Sequence, residues 1–245
     1  MSFFVDVHSH VVPSGDDGVQ SVGEGRNLCL EAFRRGTAVL YATPHVWPHF
    51  TLDEERERQV REAYAKIAAH AGLELRLGFE LTPAPPLLEE DLRRYVLDGT
   101  DAVLIEVPFT GDADLFFAVC EHAASDGLHV VVAHPERTEA VLDDPSVAAR
   151  AVEQGWLLQV NSTSLLGRHG PEIEALAWRF VDDGLVGLVG SDGHRAARPP
   201  FLDDVYRAVV TRVGETRARS LFDGSAIEIA ASTRALPSRA AARGA

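Results

Sequence analysis

Seven short apolar segments recur along the chain, and helix-length amphipathic segments separate them. The apolar segments are residues 3–7, 38–43, 73–80, 102–107, 129–133, 157–160 and 186–190. Segments of this length, rich in valine, leucine and isoleucine, are typical of buried strands. Strands that alternate with helices pair in parallel, because each helix returns the chain to the same end of the sheet. The pattern therefore predicts an α/β fold with parallel pairing.

Two parallel architectures are compatible with this pattern, an open doubly wound sheet and a closed barrel. The chain has neither a GxGxxG motif after the first apolar segment nor a GxxxxGK[ST] motif, which are phosphate-binding fingerprints of open sheets. A length of 245 residues is ordinary for one β/α barrel. No linker-like change of composition divides the chain. We predict one barrel domain over residues 1–232 and a flexible tail at 233–245.

The charge and the cysteine content exclude several classes of partner and environment. The 37 acidic and 23 basic side chains give a formal charge of −14, which argues against a broad basic surface for nucleic acid or anionic lipid. The N-terminal sequence MSFFVDVHSH lacks the pattern of a signal peptide, and no apolar run is long enough to insert into a membrane. Because only Cys29 and Cys120 are present, both in predicted helices, we expect a cytoplasmic protein without disulfides.

Histidines and carboxylates stand at the C-terminal ends of the predicted strands. In a parallel barrel these ends meet at one rim, where such folds place their active sites. Any one of these residues alone is more often a cap, a turn residue or a member of an ion pair. Together they would bury an uncompensated cluster of charges unless cations bind among them. The candidate ligands are His8, His10, Asp17, His45, Glu80, Glu106, His134, Asp192 and His194, and Asn161 stands beside them.

The types of these side chains narrow the metal and the reaction. Imidazole and carboxylate groups without cysteine suit Mn²⁺, Fe²⁺ or Zn²⁺. Nine candidates exceed the number of ligands that one ion takes, so we predict more than one ion. Ions about 3.5–4 Å apart hold a bridging hydroxide and clamp the oxygens of a phosphoryl group. The pattern therefore predicts a metal-dependent phosphoester hydrolase.

Three arginines are candidates for binding the substrate phosphate. Arg137 directly follows the motif AHPE, and its guanidinium could bind two phosphate oxygens at once. The alternative is a salt bridge to Glu136 or Glu139, and the sequence favours neither. Arg195 and Arg198 follow the last motif, GSDGH, and the same two interpretations apply to them.

The motifs, in this order and spacing, resemble those of the PHP (polymerase and histidinol phosphatase) superfamily. More narrowly, DVHSHVVPSGDDG, ATPH, GFEL, LIEVPF, VVAHPERT, LQVNSTSLLGRHG and GSDGH are similar to motifs of the bacterial manganese-dependent tyrosine phosphatases of capsule and exopolysaccharide synthesis. The resemblance implies a distorted seven-stranded β/α barrel, TIM-like, with three divalent ions at the C-terminal rim of its strands. Mn²⁺ is the implied cofactor.

The resemblance also implies how the ligands are shared. The three implied groups are His8, His10, Glu80 and Asp192; Glu80, Glu106 and His134; and Asp17, His45 and His194. Asp17 and Glu106 favour the tyrosine phosphatase branch, because other branches often carry histidine at these positions. The family often has an arginine seven residues after the aspartate of SDxHN, whereas here Arg195 replaces the asparagine and Arg198 is six residues after Asp192.

The implied reaction is attack of a metal-bridging hydroxide on phosphorus. Arg137 and His194 are the expected catalytic residues, and Arg137, Arg195 and Arg198 the expected phosphate-binding ones. The expected substrate is a phosphotyrosine protein, such as the C-terminal tail of a bacterial tyrosine autokinase. Three alternatives stay open: a phosphatase for histidinol phosphate or another small molecule, a 3′ to 5′ nuclease or proofreading module, and a metal-binding regulatory module without turnover.

Overall fold

Strands and helices alternate along the chain, as the apolar pattern predicts. The structure is a computed structural model that describes residues 3–227. Nine strands occur in this range, namely β1 (Phe4–Asp6), β2 (Thr37–Ala42), β3 (His45–Val46), β4 (Glu74–Leu77), β5 (Glu80–Leu81), β6 (Ala102–Glu106), β7 (His129–Ala133), β8 (Leu157–Asn161) and β9 (Val186–Gly190). The α-helices of the same range are α1 (Val22–Arg34), α2 (Glu54–Ala68), α3 (Asp114–Ser125), α4 (Glu139–Asp143), α5 (Ser146–Glu153), α6 (Ser162–Leu165), α7 (Pro171–Asp182), α8 (Asp203–Val213) and α9 (Glu215–Phe222).

The strands form two sheets, and every pairing within each sheet is parallel. One sheet has the order β1-β2-β4, and the other has the order β3-β5-β6-β7-β8-β9. The predicted α/β class with parallel pairing is therefore confirmed. The tail predicted at 233–245 lies outside the described residues.

The strand count and the closure of the predicted seven-stranded barrel need correction. The strand predicted at 73–80 is two strands, β4 and β5, and the short strand β3 follows Pro44 where a loop was expected. Pro44 has no N–H to continue the ladder of β2, and at Gly78 the chain passes so close to Leu97 that a Cβ would lie 2.6 Å from its Cδ2 atom. Over residues 3–227 the strand hydrogen bonds do not close into one ring.

Backbone hydrogen bonds beyond the strands join the two sheets at their carboxyl ends. Ser9, after β1, forms an isolated parallel bridge with Gly193, after β9. The N–H of His10 donates to the Gly193 carbonyl at 2.6 Å, and the N–H of Asp192 donates to the His8 carbonyl at 2.9 Å. The N–H of Thr43, after β2, donates to the Ser9 carbonyl at 2.7 Å. The chain segments that leave strands of both sheets are thus held side by side.

Alternate residues of the strands enter two hydrophobic clusters. The smaller cluster contains Val39 of one sheet and Leu104 and Val131 of the other, so it lies between the sheets. The larger cluster contains Leu40 and Val132 together with apolar residues of the helices. Strands buried on both faces explain why the apolar segments of the sequence are nearly continuous. No helix within residues 3–227 has the length and apolar content to cross a membrane.

The packing of α1 against the loop after β1 predicts opposite effects for two glycines of the same helix. A Cβ at Gly25 would lie 2.2 Å from the Val11 carbonyl oxygen, whereas a Cβ at Gly23 meets its nearest atom at 3.9 Å. Gly25→Ala should lower the free energy of unfolding by about 1–3 kcal/mol, and Gly23→Ala should raise it by up to about 1 kcal/mol. Urea denaturation measures both, and equal stability of the two variants would contradict the close contact.

Candidate metal centre

The predicted ligands lie together at the carboxyl ends of the strands. Eight of the nine are buried, and the exception is Asp17, whose side chain is 61% exposed. His45 and Glu80 begin the two-residue strands β3 and β5, and the other ligands end or follow a strand. The parallel pairing therefore brings residues that are far apart in sequence to the same rim. The buried residues are His8, His10, His45, Glu80, Glu106, His134, Asp192 and His194.

The Glu80 carboxylate lies at the centre of this cluster. Its Oε2 atom is 3.1 Å from His8 Nε2, 3.2 Å from His10 Nε2 and 3.0 Å from His45 Nδ1. Its Oε1 atom is 2.9 Å from His134 Nε2. A fully buried carboxylate thus contacts four imidazoles, which agrees with a bridging position for Glu80.

Asp192 completes the first predicted group. Its Oδ1 atom lies 3.5 Å from both His8 Nε2 and His10 Nε2. His8 and His10 therefore each contact both carboxylates of that group, Glu80 and Asp192. Four groups of three such side chains place their ligand atoms within 4.8 Å of one another, which is the spacing that a shared cation requires.

The other two predicted groups are assembled differently. Asp17 Oδ1 lies 3.5 Å from His45 Nε2 and 3.2 Å from His194 Nε2, so the third group is brought together as predicted. The second group is divided, because Glu106 lies with His45 and Glu80, whereas His134 lies with His8 and Asp192. Glu80 contacts both neighbourhoods and is the residue that they share.

The buried carboxylates and imidazoles of the cluster shift one another's pKa values. Burial opposes ionisation of Glu80, yet the neighbouring His8 and His45 imidazoles hold its pKa well below the ordinary value. Burial lowers the pKa of a histidine, but the Glu80 carboxylate raises the pKa of His45 to about 9. Burial, and next the Glu80 charge, raise the pKa of Glu106 to about 7. The carboxylates therefore require cations nearby, either protons on imidazoles or metal ions.

Unpaired buried atoms support metal ions as the cations. Buried polar atoms in proteins are nearly always hydrogen-bonded. Within residues 3–227, six atoms of the predicted ligands are buried without a hydrogen bond of good geometry: His10 Nδ1, His45 Nδ1, His134 Nδ1, His194 Nε2, Glu80 Oε2 and Glu106 Oε2. All are nitrogen or oxygen donors that suit a divalent transition metal. The residues present therefore fit a metal centre.

Two of the predicted ligands have a left-handed backbone. His134 has φ 33° and Asp192 has φ 48°, and no other non-glycine residue between positions 3 and 227 has a positive φ. Such conformations cost about 1–3 kcal/mol each and persist where the surrounding structure enforces them. His134 directly follows β7 and Asp192 lies two residues after the end of β9, and the turn there directs the side chain toward Glu80 or toward His8 and His10.

Two supporting residues of strand β8 were partly missed by the sequence reasoning. Gln159 Oε1 lies 2.8 Å from His8 Nδ1, so a proton on Nδ1 leaves the Nε2 lone pair directed at Glu80 and Asp192. Gln159 also donates from Nε2 to Asn161 Oδ1 at 2.9 Å, and Asn161 donates from Nδ2 to Asp192 Oδ2 at 2.7 Å. The sequence places Asn161 beside the candidate ligands. Gln159 could have been found as a polar residue two positions earlier in a buried strand.

Asp16, the neighbour of the predicted ligand Asp17, was also missed. Its side chain is buried, and Oδ2 accepts from the His45 N–H at 3.1 Å while Oδ1 accepts from the Gly18 N–H at 3.1 Å. The same carboxylate lies 3.7 Å from His10 Nδ1. Asp16 thus ties the DDG loop to the loop after β2. The doubled aspartate was the only signal of this role in the sequence.

The three arginines occupy different places. Arg137 donates from Nη1 to Asp192 Oδ2 at 2.7 Å, and Arg198 Nη1 lies 3.5 Å from the same oxygen. The salt bridges of Arg137 to Glu136 or Glu139 that the sequence allowed are not formed. Arg195 instead donates to Glu24 on α1 at 3.0 Å and is half exposed. The predicted phosphate-binding role of Arg195 therefore has no support in its position.

A cleft of about 500 Å³ opens onto the cluster. Arg137 and Arg198 line it together with the ligand side chains, and Arg195 does not. Trp47 and Phe109 form aromatic parts of its wall. The Trp47 ring stacks on His45 with centroids 4.5 Å apart, and the Phe109 ring, 43% exposed, stacks on His134 at 5.6 Å. The cleft therefore offers cationic groups at the cluster and apolar rings beside them.

Comparison with known proteins identifies similar chains. The model of the family described as "Capsular polysaccharide synthesis, CpsB/CapC" matches residues 4–230. The tyrosine-protein phosphatase YwqE of Bacillus subtilis is 29% identical over 212 residues, which cover 80% of each chain. The tyrosine-protein phosphatase CpsB of Streptococcus agalactiae serotype V is 26% identical over 239 residues, 89% of this chain and 94% of that one.

A solved structure is similar over most of the chain. It comes from work on YwqE of Bacillus subtilis and CpsB of Streptococcus pneumoniae, described as metal-dependent tyrosine phosphatases. It superposes with a TM-score of 0.80 at 26% sequence identity, covering 89% of this chain and 90% of the other. The residues that match the family model, 4–230, include the elements that carry the cluster.

Removal of divalent ions should destabilise the folded chain, because the ions offset the mutual repulsion of buried carboxylates. We expect Mn²⁺ at 100 times its Kd to add about 2.7 kcal/mol per bound ion to the free energy of unfolding of the metal-free chain, and a chelator to reverse this gain. Calorimetry of the metal-free and Mn²⁺-loaded chain measures the shift in Tm. His10→Ala should reduce the gain, and His129→Ala, at an exposed position, should not. An identical Tm with chelator and with Mn²⁺ would contradict a metal centre.

Proposed function

The chain belongs to the CpsB/CapC family of capsular polysaccharide synthesis, and from this premise we propose that it is a metal-dependent protein tyrosine phosphatase. The observation that carries the proposal is the contact of Arg137 and Arg198 with Asp192, because it puts two guanidinium groups beside the predicted metal ligands in one cleft. Relatives named as tyrosine-protein phosphatases support the same activity.

We assign the metal-binding role to the nine residues predicted from the sequence, with Mn²⁺ as the ion and three ions as the expected number. Bound divalent ions supply Lewis acidity, which neutralises phosphate oxygens and makes a water molecule a better nucleophile. The ligands are His8, His10, Asp17, His45, Glu80, Glu106, His134, Asp192 and His194. Their unpaired buried atoms and short mutual distances support this assignment.

Arg137 and Arg198 bind the phosphate in this proposal. Each guanidinium presents N–H groups in a fixed plane that matches two phosphate oxygens. Asp192 accepts from Arg137 at 2.7 Å and thereby holds the guanidinium at the edge of the cleft. Positive charge fixed there before the substrate binds stabilises the charge that develops on the phosphoryl oxygens during hydrolysis. His194, between Asp17 and Asp192, keeps its predicted catalytic role as part of the third ligand group.

The aromatic wall favours an aryl phosphate over an alkyl phosphate. Phe109 and Trp47 line the cleft on stacked imidazoles, so a phenyl ring attached to the phosphate can pack against apolar surface. A tyrosine leaving group has a pKa near 10 and needs less protonation on departure than an alkyl alcohol does. These features support phosphotyrosine as the substrate group.

The biological setting of the proposal follows from the family. We propose that the substrate is a phosphotyrosine protein, such as the C-terminal tail of a bacterial tyrosine autokinase. A cytoplasmic location also belongs to the proposal and rests on Cys29 and Cys120, which are buried and unbridged. We also propose that the fold is a distorted seven-stranded barrel of the PHP type. Joining β2 to β3 and β4 to β5 leaves seven strands, and the Ser9–Gly193 bridge links the two sheets.

Substrate choice tests the proposed activity. With Mn²⁺, the chain should release phosphate from phosphotyrosine peptides, and His8→Ala, Glu80→Ala and His194→Ala should each lower the rate at least about 100-fold because a ligand is lost. His129→Ala is the matched histidine control and should retain full activity. Turnover of histidinol phosphate alone would show a small-molecule phosphatase instead. Metal binding without phosphate release would indicate a regulatory module.

The positions of the arginines give a second test. Arg137→Ala should lower kcat/KM for a phosphotyrosine peptide about 100- to 1000-fold, since it removes a charged donor to the phosphoryl oxygens. Arg195→Ala should stay within about twofold of the unmodified chain, because Arg195 pairs with Glu24 outside the cleft. Steady-state kinetics at saturating Mn²⁺ measures both. Equal losses in the two variants would refute the assignment of Arg137.

A further inference from the structure

Arg56 is a buried arginine that the proposed reaction does not use. It stands in the first turn of α2, where its N–H donates to the side chain of the cap residue Asp53 at 2.8 Å. The residue is only 7% exposed. Within residues 3–227, no carboxylate oxygen lies within 4.0 Å of its guanidinium, although buried charges are usually paired with an opposite charge. Something other than an ion pair therefore compensates its burial.

Backbone carbonyls provide that compensation. Nε donates to the Ser14 carbonyl at 3.2 Å, and Nη2 donates to the His45 carbonyl at 2.7 Å. Nη1 donates to the carbonyls of Phe50 at 2.9 Å and Thr51 at 3.3 Å. The guanidinium also stacks on the Phe50 ring, 3.6 Å from its centroid. One side chain thus binds two separate chain segments that lack regular secondary structure over most of their length.

These two segments carry two of the three ligands of one metal group. Ser14 precedes the DDG loop with Asp17, and His45 begins the segment that Arg56 holds at three carbonyls. Asp17 is the most exposed of the nine predicted ligands, so packing alone holds it weakly. Its distance to His45 Nε2, 3.5 Å, depends on the relative position of the two segments. Arg56 links the two segments, because its guanidinium donates hydrogen bonds to carbonyls of both.

We propose that Arg56 is a positioning residue that holds the Asp17, His45 and His194 group in its metal-binding geometry. The inference rests on the metal centre of the proposed function and extends it to a residue outside the cleft. An arginine suits this task because its planar group carries five donors in fixed directions, whereas a lysine ammonium cannot span the same carbonyls. Groups that support ligands in this way typically change metal affinity about 10- to 100-fold.

Mn²⁺ titration of the whole chain tests this role. Arg56→Met and Arg56→Lys should weaken one class of Mn²⁺ sites about 10- to 100-fold and leave the other sites unchanged. Phosphatase activity lost at low Mn²⁺ should return at high Mn²⁺. The matched control is Arg58→Met on the same helix, because Arg58 is exposed and pairs with Glu55 and Glu62 on the surface of α2. It should bind Mn²⁺ like the unmodified chain.

A double variant separates positioning from a general loss of stability. Asp17→Asn removes a ligand of the same group, so adding Arg56→Met to it should weaken Mn²⁺ binding no further if Arg56 acts through that group. Circular dichroism establishes that each variant is folded, and if Arg56→Met does not fold, Arg56→Lys decides. If folded Arg56 variants bind Mn²⁺ with the affinity of Arg58→Met, the role of Arg56 is overturned and the proposed function is unaffected. Absence of Mn²⁺ binding by the unmodified chain would overturn the proposed function as well.

Discussion

The burial of one carboxylate, Glu80, is the constraint on which the rest of the site depends. An ionised group without access to water is tolerated only where opposite charge or hydrogen-bond donors surround it. Four imidazoles lie within 3.2 Å of its oxygens, and they come from the segments after β1 and β7 and from β3. Because β5 is only two residues long, Glu80 is placed by its pairing with β3 and β6. The ends of the strands must therefore meet closely around this residue.

Polar side chains around the cluster hold the ligands of Glu80's neighbourhood in place. Gln159 and Asn161 of β8 contact His8 and Asp192, so the register of one strand fixes the orientation of two ligands. Arg137 donates to the same Asp192 oxygen as Asn161 does and places positive charge in the cleft. These predicted ligands are thus joined by hydrogen bonds to strand β8. Only the Asp17 loop departs from this arrangement, since its aspartate is mostly exposed.

The sequence predicted the class of the fold and the clustering of ligands, because strand ends and hydrophobic periodicity are local properties. It missed β3 and the division of residues 73–80, since these depend on Pro44 and on the close approach of Leu97 to Gly78. The arginines also required the structure. Arg137, Arg195 and Arg198 each follow a motif that carries a predicted ligand, and only the fold decides that Arg195 pairs with Glu24 on α1. Arg56 was invisible because its partners are backbone carbonyls, which every residue possesses.

The left-handed backbone at His134 and Asp192 bears on how this sequence can change over generations. Glycine at either position would relieve conformational strain and would, by backbone energy alone, make the folded chain more stable. It would also remove the contact of His134 with Glu80 or the contacts of Asp192 with His8 and His10. Stability and the site therefore favour different residues at these two positions. A descendant freed from the need for the site would gain backbone stability from glycine at these two positions.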